Sequence, residues 1–186
     1  QKIIKPGLKL SELADKIEST TRNLTKNIGL NNGIGFPPSL SVSNCTAHYT
    51  PYKNHDVVLN YDDNIKIDFG VVVNGWIVDS AFSVYFDPKY ENLHLAVEEA
   101  TKNGIKNIAV DGRINEWGDD NREVMESYEI ELDGNVYPIK SIKNLGGHNI
   151  LKNRIHGGEF LPVYDTGYDR KFSEQVYAIE TFGGID

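Results

Sequence analysis

Two aspartates flank an Asn-Gly pair in the stretch Lys66-Ile67-Asp68-Phe69-Gly70-Val71-Val72-Val73-Asn74-Gly75-Trp76-Ile77-Val78-Asp79-Ser80-Ala81-Phe82. Asn-Gly between two β-branched runs is the strongest short-range signal for a two-residue hairpin turn. It sets Val73 opposite Trp76, Val71 opposite Val78, Gly70 opposite Asp79 and Asp68 opposite Ala81. Side chains alternate along a strand and opposed residues share a face. One face is then Ile67, Phe69, Val71, Val73, Val78, Phe82 and Val84, the expected core face. The other carries Asp68, Gly70, Asp79, Ala81 and Ser83. Asp68 and Asp79 become diagonal neighbours with Cα atoms about 7–8 Å apart. Two like charges so placed repel unless a cation sits between them, and a divalent metal would serve. The competing reading is a solvated acidic face, because exposed strands carry acids routinely. Against it stand the small neighbours, since a merely solvated strand usually carries Lys, Thr or Glu.

A cation held by two aspartates needs further ligands, preferably nitrogen for a first-row transition ion. Of the five histidines, His94 lies on a helix among acids and His55 in a polar loop, and both read as surface residues. His48 stands in Asn44-Cys45-Thr46-Ala47-His48-Tyr49-Thr50-Pro51, His148 in Asn144-Leu145-Gly146-Gly147-His148, and His156 in Arg154-Ile155-His156-Gly157-Gly158. The glycines before His148 allow close backbone approach and let the imidazole enter a crowded site. Glu180 interrupts the apolar run Val176-Tyr177-Ala178-Ile179-Glu180-Thr181-Phe182, an expensive place for an unpaired charge. Each residue singly has an ordinary structural explanation. Together, two Asp, one His and one Glu form a donor set suited to a dinuclear hydrolytic centre.

These residues need elements to hold them. Residues 11–28 read as a helix with Leu13, Ile17, Leu24 and Ile28 apolar, Ser11 as cap and Gly29 as stop. Residues 31–38, with Asn-Asn-Gly and Pro-Pro, read as loop, and 40–86 as β-rich. Asp87-Pro88 opens a second helix over 89–103, ended near Gly104, with Leu93, Val97 and Ala100 on one side. A third helix spans 114–128 with Gly118 inside it. Asp133-Gly134 centres a hairpin over 129–140, and the last strand covers 175–182. The pattern is α+β with a mostly antiparallel sheet.

The chain has 186 residues, 39% hydrophobic and 25% charged, enough for one domain with a core of useful size. No run approaches the ~18 apolar residues of a spanning helix, so no membrane partner is expected. The net charge of −8 argues against nucleic acid, whose backbone wants a basic surface. With Cys45 the one cysteine, neither an intrachain disulfide nor a thiolate cage can form, and a reducing, cytoplasmic compartment is expected. No basic-then-apolar leader points to secretion. A start at Gln1 and an end at Asp186 after an apolar stretch suggest a piece of a longer protein.

At this point a resemblance emerges, carried by motifs in order over nearly the whole chain. They are Gly35-Phe36-Pro37, residues 44–51, Tyr61-Asp62-Asp63, Lys66-Ile67-Asp68-Phe69-Gly70, Gly75-Trp76-Ile77-Val78-Asp79-Ser80-Ala81-Phe82 and Phe86-Asp87-Pro88-Lys89-Tyr90. Further on come Met125-Glu126-Ser127-Tyr128-Glu129, residues 144–148, Arg154-Ile155-His156 and residues 176–183. The chain resembles the methionine aminopeptidases, and among them the type 2 enzymes of eukaryotes and archaea.

The resemblance implies a pita-bread (creatinase/aminopeptidase-like) fold: a curved, mostly antiparallel sheet with helices on its outer face, forming one metallopeptidase domain over 1–186. It implies two divalent metal ions (Mn, Co, Fe or Zn) on Asp68, Asp79, His148 and Glu180, with Glu180 also shuttling a proton. His48 falls where type 2 enzymes keep the histidine that fumagillin-type inhibitors alkylate. His156 falls on a second substrate-side histidine, and Phe36 and Ile155 on walls of the methionine pocket. The implied reaction is removal of the N-terminal methionine from nascent proteins and peptides by a metal-activated hydroxide, near the ribosome. The family's fifth ligand, a bridging glutamate on a last strand, and the type 2 helical insertion are expected beyond residue 186. The alternatives are a proline-directed aminopeptidase of the same fold and a non-catalytic relative that binds protein or RNA.

Overall fold

The computed structural model describes residues 3–27, 29–52, 56–167 and 170–185. The surface assignment of His55, the helical position of Ile28 and the chain end at Asp186 lie outside the described residues. The chain forms two compact units, one of residues 1–88 with 152–155, the other of 89–151 with 156–186.

The first unit opens with α1 (Leu10–Thr25). Its start does not use Ser11 as a cap. The Asp56 carboxylate accepts both the Ser11 amide (3.1 Å) and the Ser11 hydroxyl (2.6 Å), placing a negative charge on the positive end of the helix. These bonds hold the carboxyl below its usual value, the Ser11 hydroxyl first and its amide second. Leu10 and Leu13 are buried with Leu40, Leu59, Ile65 and Ile67, while Ile17 packs at the edge of this core. Leu24, expected on the apolar stripe, is 80% exposed.

Three antiparallel strands follow in the order β1 (Asn32–Val42), β2 (Asn64–Val73) and β3 (Trp76–Tyr85). Of residues 31–38, all but Asn31 are therefore strand, not loop. The β1–β2 register shifts between Ile34 and Phe36 and again between Phe36 and Ser39, each shift giving β1 one extra residue. The Pro37-Pro38 pair sits inside the second irregularity, where a missing N–H breaks no ladder. The β2–β3 register is the expected one: Val73 pairs Trp76, Gly70 pairs Asp79 and Asp68 pairs Ala81.

The expected core face needs correction at the turn. Ile67 is buried under α1 and Phe69, Phe82 and Val84 pack against the same core, but Val73 and Val78 are 46% and 54% exposed. Burial changes sides along the hairpin. On the aspartate face Val72 and Ile77 are buried, lining a cavity of about 320 Å³ with Leu30, Ile34, Arg22 and Asn153. Asn153 also donates its amide to the Gly75 carbonyl, tying residues 152–155 to the hairpin turn.

The second unit contains α2 (Glu91–Asn107) and α3 (Ile114–Glu126). The helix expected over 89–103 begins after a 3₁₀ turn at Pro88–Tyr90 and continues through Gly104 to Asn107. Gly104 serves packing rather than termination: a Cβ there would lie 3.0 Å from both Ile179 and Trp117, and its carbonyl accepts the Trp117 indole N–H (2.9 Å). Buried Asn121 completes the junction, accepting from Asn103 and donating to the Trp117 carbonyl. Gly118 is likewise a contact residue, since a Cβ would meet the Pro162 carbonyl at 2.4 Å. His94, read as surface, is half-buried on α2.

The hairpin centred on Asp133-Gly134 is present as β4 (Glu129–Leu132) and β5 (Asn135–Pro138). The rest comprises β6 (Lys140–Ser141), β7 (Gly146–Ile150), β8 (Phe160–Pro162), β9 (Val176–Ala178) and β10 (Gly183–Gly184). β10 pairs β6, and β7 lies between β8 and β9. The strand expected over 175–182 thus ends at Ala178. Every strand pair among the described residues is antiparallel, as the α+β reading expects.

Candidate functional site

In the first unit Asp68 and Asp79 occupy one face of the β2–β3 hairpin as diagonal neighbours, both half-buried. The first β1 bulge puts Phe36 opposite Gly70. A Cβ on Gly70 would meet the Phe36 ring at 2.5 Å. The ring therefore lies over the glycine between the two acids and forms an apolar wall beside them. Ser39, opposite Asp68, is buried. The Oδ1 atom of Asp68 is shielded from solvent and meets no hydrogen-bond donor, although the residue has other interactions.

His48 is exposed on the segment that returns to β1, with a left-handed φ of 67°. The residue after it is pinned twice: the Tyr49 amide donates to the Ser41 hydroxyl (3.2 Å) and its carbonyl accepts the Leu40 amide (2.7 Å). Ser41 is fully buried and shares a hydrogen bond with the Ser39 hydroxyl. Lys66 fastens the other end by donating to the Ser43 carbonyl (2.7 Å). Burial pushes the Lys66 amine down to about 8. Ile155 is half-buried in the 152–155 segment of this unit.

In the second unit His148 sits mid-strand on β7, facing Phe160 on one side and Ala178 on the other. The preceding glycines are required by the strands beside them. A Cβ on Gly146 would lie 2.3 Å from the Leu161 carbonyl, and one on Gly147 2.3 Å from the Ala178 carbonyl. Just past β9, Ile179 packs on the core of Ile114, Trp117, Leu161 and Phe172, and the buried Thr181 hydroxyl bonds Thr101 and the Val97 carbonyl. These two anchors leave Glu180 between them to turn toward His148, with His148 Nε2 and Glu180 Oε1 3.1 Å apart. His156 is exposed and meets the His148 ring edge-to-face, centroids 4.3 Å apart at 89°.

The chemistry of that pair tests whether a metal fits. His148 Nδ1 lies 3.2 Å from the Asn149 carbonyl, which can only accept, so Nδ1 carries the proton. With Nδ1 so engaged, Nε2 is the ring nitrogen that faces the Glu180 carboxylate. A ring nitrogen and a carboxylate oxygen at that distance share a cation, a proton or a metal ion, and a backbone-anchored imidazole is the usual form of a ligating histidine. Oxygen and imidazole donors of this kind suit first-row divalent ions. Each unit thus gathers part of the expected set, with Asp68, Asp79 and Phe36 in one and His148, Glu180 and His156 in the other. The sequence reading passed over Asn149, the residue after His148, because its hydrogen-bond partners lie at distant positions.

The chain is 48% identical over 184 residues to the methionine aminopeptidase 2 of Schizosaccharomyces pombe, covering 98% of this chain and 43% of that protein. It is 52% identical over 185 residues to the methionine aminopeptidase 2 of Clavispora lusitaniae, covering 98% and 42%. The chain therefore spans less than half the length of these relatives. Among solved structures, the methionine aminopeptidase of Rickettsia prowazekii matches with a TM-score of 0.77 at 18% identity, covering 98% of this chain and 71% of that one. The prolidase of Pyrococcus horikoshii OT3 matches with a TM-score of 0.72 at 18% identity, covering 97% and 48%. Likeness at that identity speaks for the fold, the α+β pita-bread fold expected from the motifs. Residues 1–185 match the family described as metallopeptidase family M24, and with divalent-metal use as the common property of that family, the chain belongs to the M24 metallopeptidases.

Proposed function

We propose that the whole protein removes the N-terminal methionine from nascent proteins and peptides. Its site holds two divalent cations (Mn, Co, Fe or Zn) on Asp68, Asp79, His148 and Glu180, in one pita-bread metallopeptidase domain. One observation carries the metal reading: a buried, backbone-anchored imidazole and a carboxylate face each other at 3.1 Å, a spacing that suits a shared cation. Methionine selectivity rests on the identity of about half of all positions to relatives named methionine aminopeptidase 2. When bound, such cations lower the pKa of water and polarise the scissile carbonyl.

The chain's own residues supply the rest. Glu180 accepts a proton and delivers it to the leaving amine. His48 and His156 hold the substrate carbonyl and stabilise the charge that develops on its oxygen. Phe36 and Ile155 line the methionine pocket, and a small second residue in the substrate gives access to it. A cytoplasmic setting near the ribosome fits a nascent-chain substrate and the free Cys45 thiol. No helix among the described residues is long and apolar enough to cross a membrane.

The test uses the full-length protein with Mn²⁺ or Co²⁺ and two peptides, Met-Ala-Ser and an Xaa-Pro peptide. Methionine release from the first is expected, falling about 10³-fold or more in Asp68→Asn and His148→Ala, the scale of losing a charge-stabilising group. Turnover of the Xaa-Pro peptide instead, or turnover unchanged by either substitution, overturns the proposal.

A further inference from the structure

Asn149 has no idle polar atom. It is 5% exposed, and its amide donates to the Glu159 carbonyl (3.1 Å) while its own carbonyl accepts the Gly157 amide (2.8 Å) and faces His148 Nδ1 (3.2 Å). In the side chain, Oδ1 accepts the Glu159 amide (2.9 Å) and Nδ2 donates to Gln175 Oε1 (2.6 Å). Gln175 and Tyr177 in turn donate to the Glu159 carboxylate. The segment passes directly over the amide group, since a Cβ on Gly157 would lie 2.5 Å from it. His156 is the residue immediately before this clamp, and its ring meets the His148 ring edge-to-face.

We propose that Asn149 is the positioning residue of the two imidazoles. Its main-chain carbonyl anchors the His148 ring at Nδ1, and its side-chain amide fixes the backbone that carries His156. Together they set the spacing between the metal-side ring and the substrate-side ring. The inference rests on the reading of His156 as substrate-side, but the placement it describes can be measured without turnover. One side-chain bond to the Glu159 amide and one main-chain bond from the Gly157 amide hold the glycine pair at both ends, a strong local constraint, because Gly157-Gly158 alone would leave that backbone free to choose among many conformations.

Three variants of the full-length, metal-loaded protein test this. Asn149→Leu removes both side-chain bonds at similar volume. Asn149→Asp keeps the acceptor for the Glu159 amide. Gly157→Ala forces the segment off the amide from the opposite side and serves if Asn149→Leu does not fold. The first readout is the ring-to-ring nuclear Overhauser effect between His148 and His156 in histidine-labelled protein. It is expected in the wild type and in Asn149→Asp, and lost in Asn149→Leu and Gly157→Ala.

The second readout is a double-mutant cycle with His156→Ala. Asn149→Leu is expected to lower kcat/KM for Met-Ala-Ser about 10–100-fold, the range for residues that orient a site group, with Asn149→Asp recovering most of it. On the His156→Ala background the same substitution is expected to have less than about a twofold further effect. A ring contact that persists in Asn149→Leu, or losses that multiply in the double mutant, overturns the proposal. Unchanged turnover in His156→Ala counts against the functional reading instead, and the ring contact then decides the positioning role alone.

Discussion

The acids of the first unit and the histidine–glutamate pair of the second reach their places by different routes. Asp68 and Asp79 share one hairpin, and the two-residue turn that joins its strands also sets their relation. His148 and Glu180 come from separate segments and meet because β9 pairs beside β7 across Gly147. One arrangement is a property of the single continuous stretch from Asp68 to Asp79. The other exists only once distant strands have closed, and it tolerates no extra atom at the point of closure. The first arrangement is protected by local sequence, and the second depends on tertiary packing.

Three substitutions probe that difference. Gly147→Ala should have the largest effect. Its Cβ meets backbone, the Ala178 carbonyl at 2.3 Å with the Glu180 amide at 3.2 Å, and backbone cannot step aside. A loss of about 3 kcal/mol is expected from overpacking of this kind, read as a lower urea midpoint at unchanged slope. An unchanged midpoint would show that the closure of β9 on β7 is looser than the contacts imply.

Gly70→Ala should cost less, about 1–2 kcal/mol, because its Cβ meets the Phe36 ring, a side chain that can rotate. Phe36→Leu combined with Gly70→Ala should restore much of the loss, and a thermodynamic cycle on the two changes measures the coupling. Additive losses would mean that the ring does not rest over the glycine. No second substitution is expected to rescue Gly147→Ala in the same way, which sharpens the contrast between the two regions.

The smallest effect concerns α1. Asp56→Asn should lower the thermal midpoint at neutral pH by about 2–4 °C, a scale typical of a modest stability change in a domain of this size. Folding lowers the Asp56 carboxyl from 3.8 through its bonds from the Ser11 hydroxyl and amide. The stabilisation is therefore complete above 3.8 and is lost as pH falls through the lower folded value. Thermal melts across that acidic range should show the wild type losing its advantage over Asp56→Asn. Parallel curves would place the effect elsewhere.

How far the residues alone foretold these elements follows the same division. The hairpin register was legible because turn type and alternation are local, and the antiparallel α+β class followed from it. Residues 31–38 were misread because proline and glycine normally punctuate a chain, whereas here two bulges absorb them within β1. Gly104 was taken for a helix stop when its role is to admit Trp117 and Ile179, partners far away in sequence. The outward turn of Val73 and Val78 was hidden for a related reason, since the strand pattern cannot say where α1 stops covering the sheet. Glu180 stood out as an acid in an apolar run, yet its partner could be named only through the family resemblance. Asn149 carried almost no signal, because an amide becomes informative only when its hydrogen-bond partners are known.

The capping of α1 by Asp56 has a consequence for the order of events during synthesis. A helix of sixteen residues is marginal in water without tertiary support, and no side chain of its own caps this one. A chain growing from its N-terminus carries those residues without their capping acid until residue 56 has been made, and without Ile65 and Ile67 to cover until the hairpin has emerged. Helix α1 therefore becomes secure only after residues 56–67 have followed it, so its own residues wait unsupported while the segment that holds them is still being made.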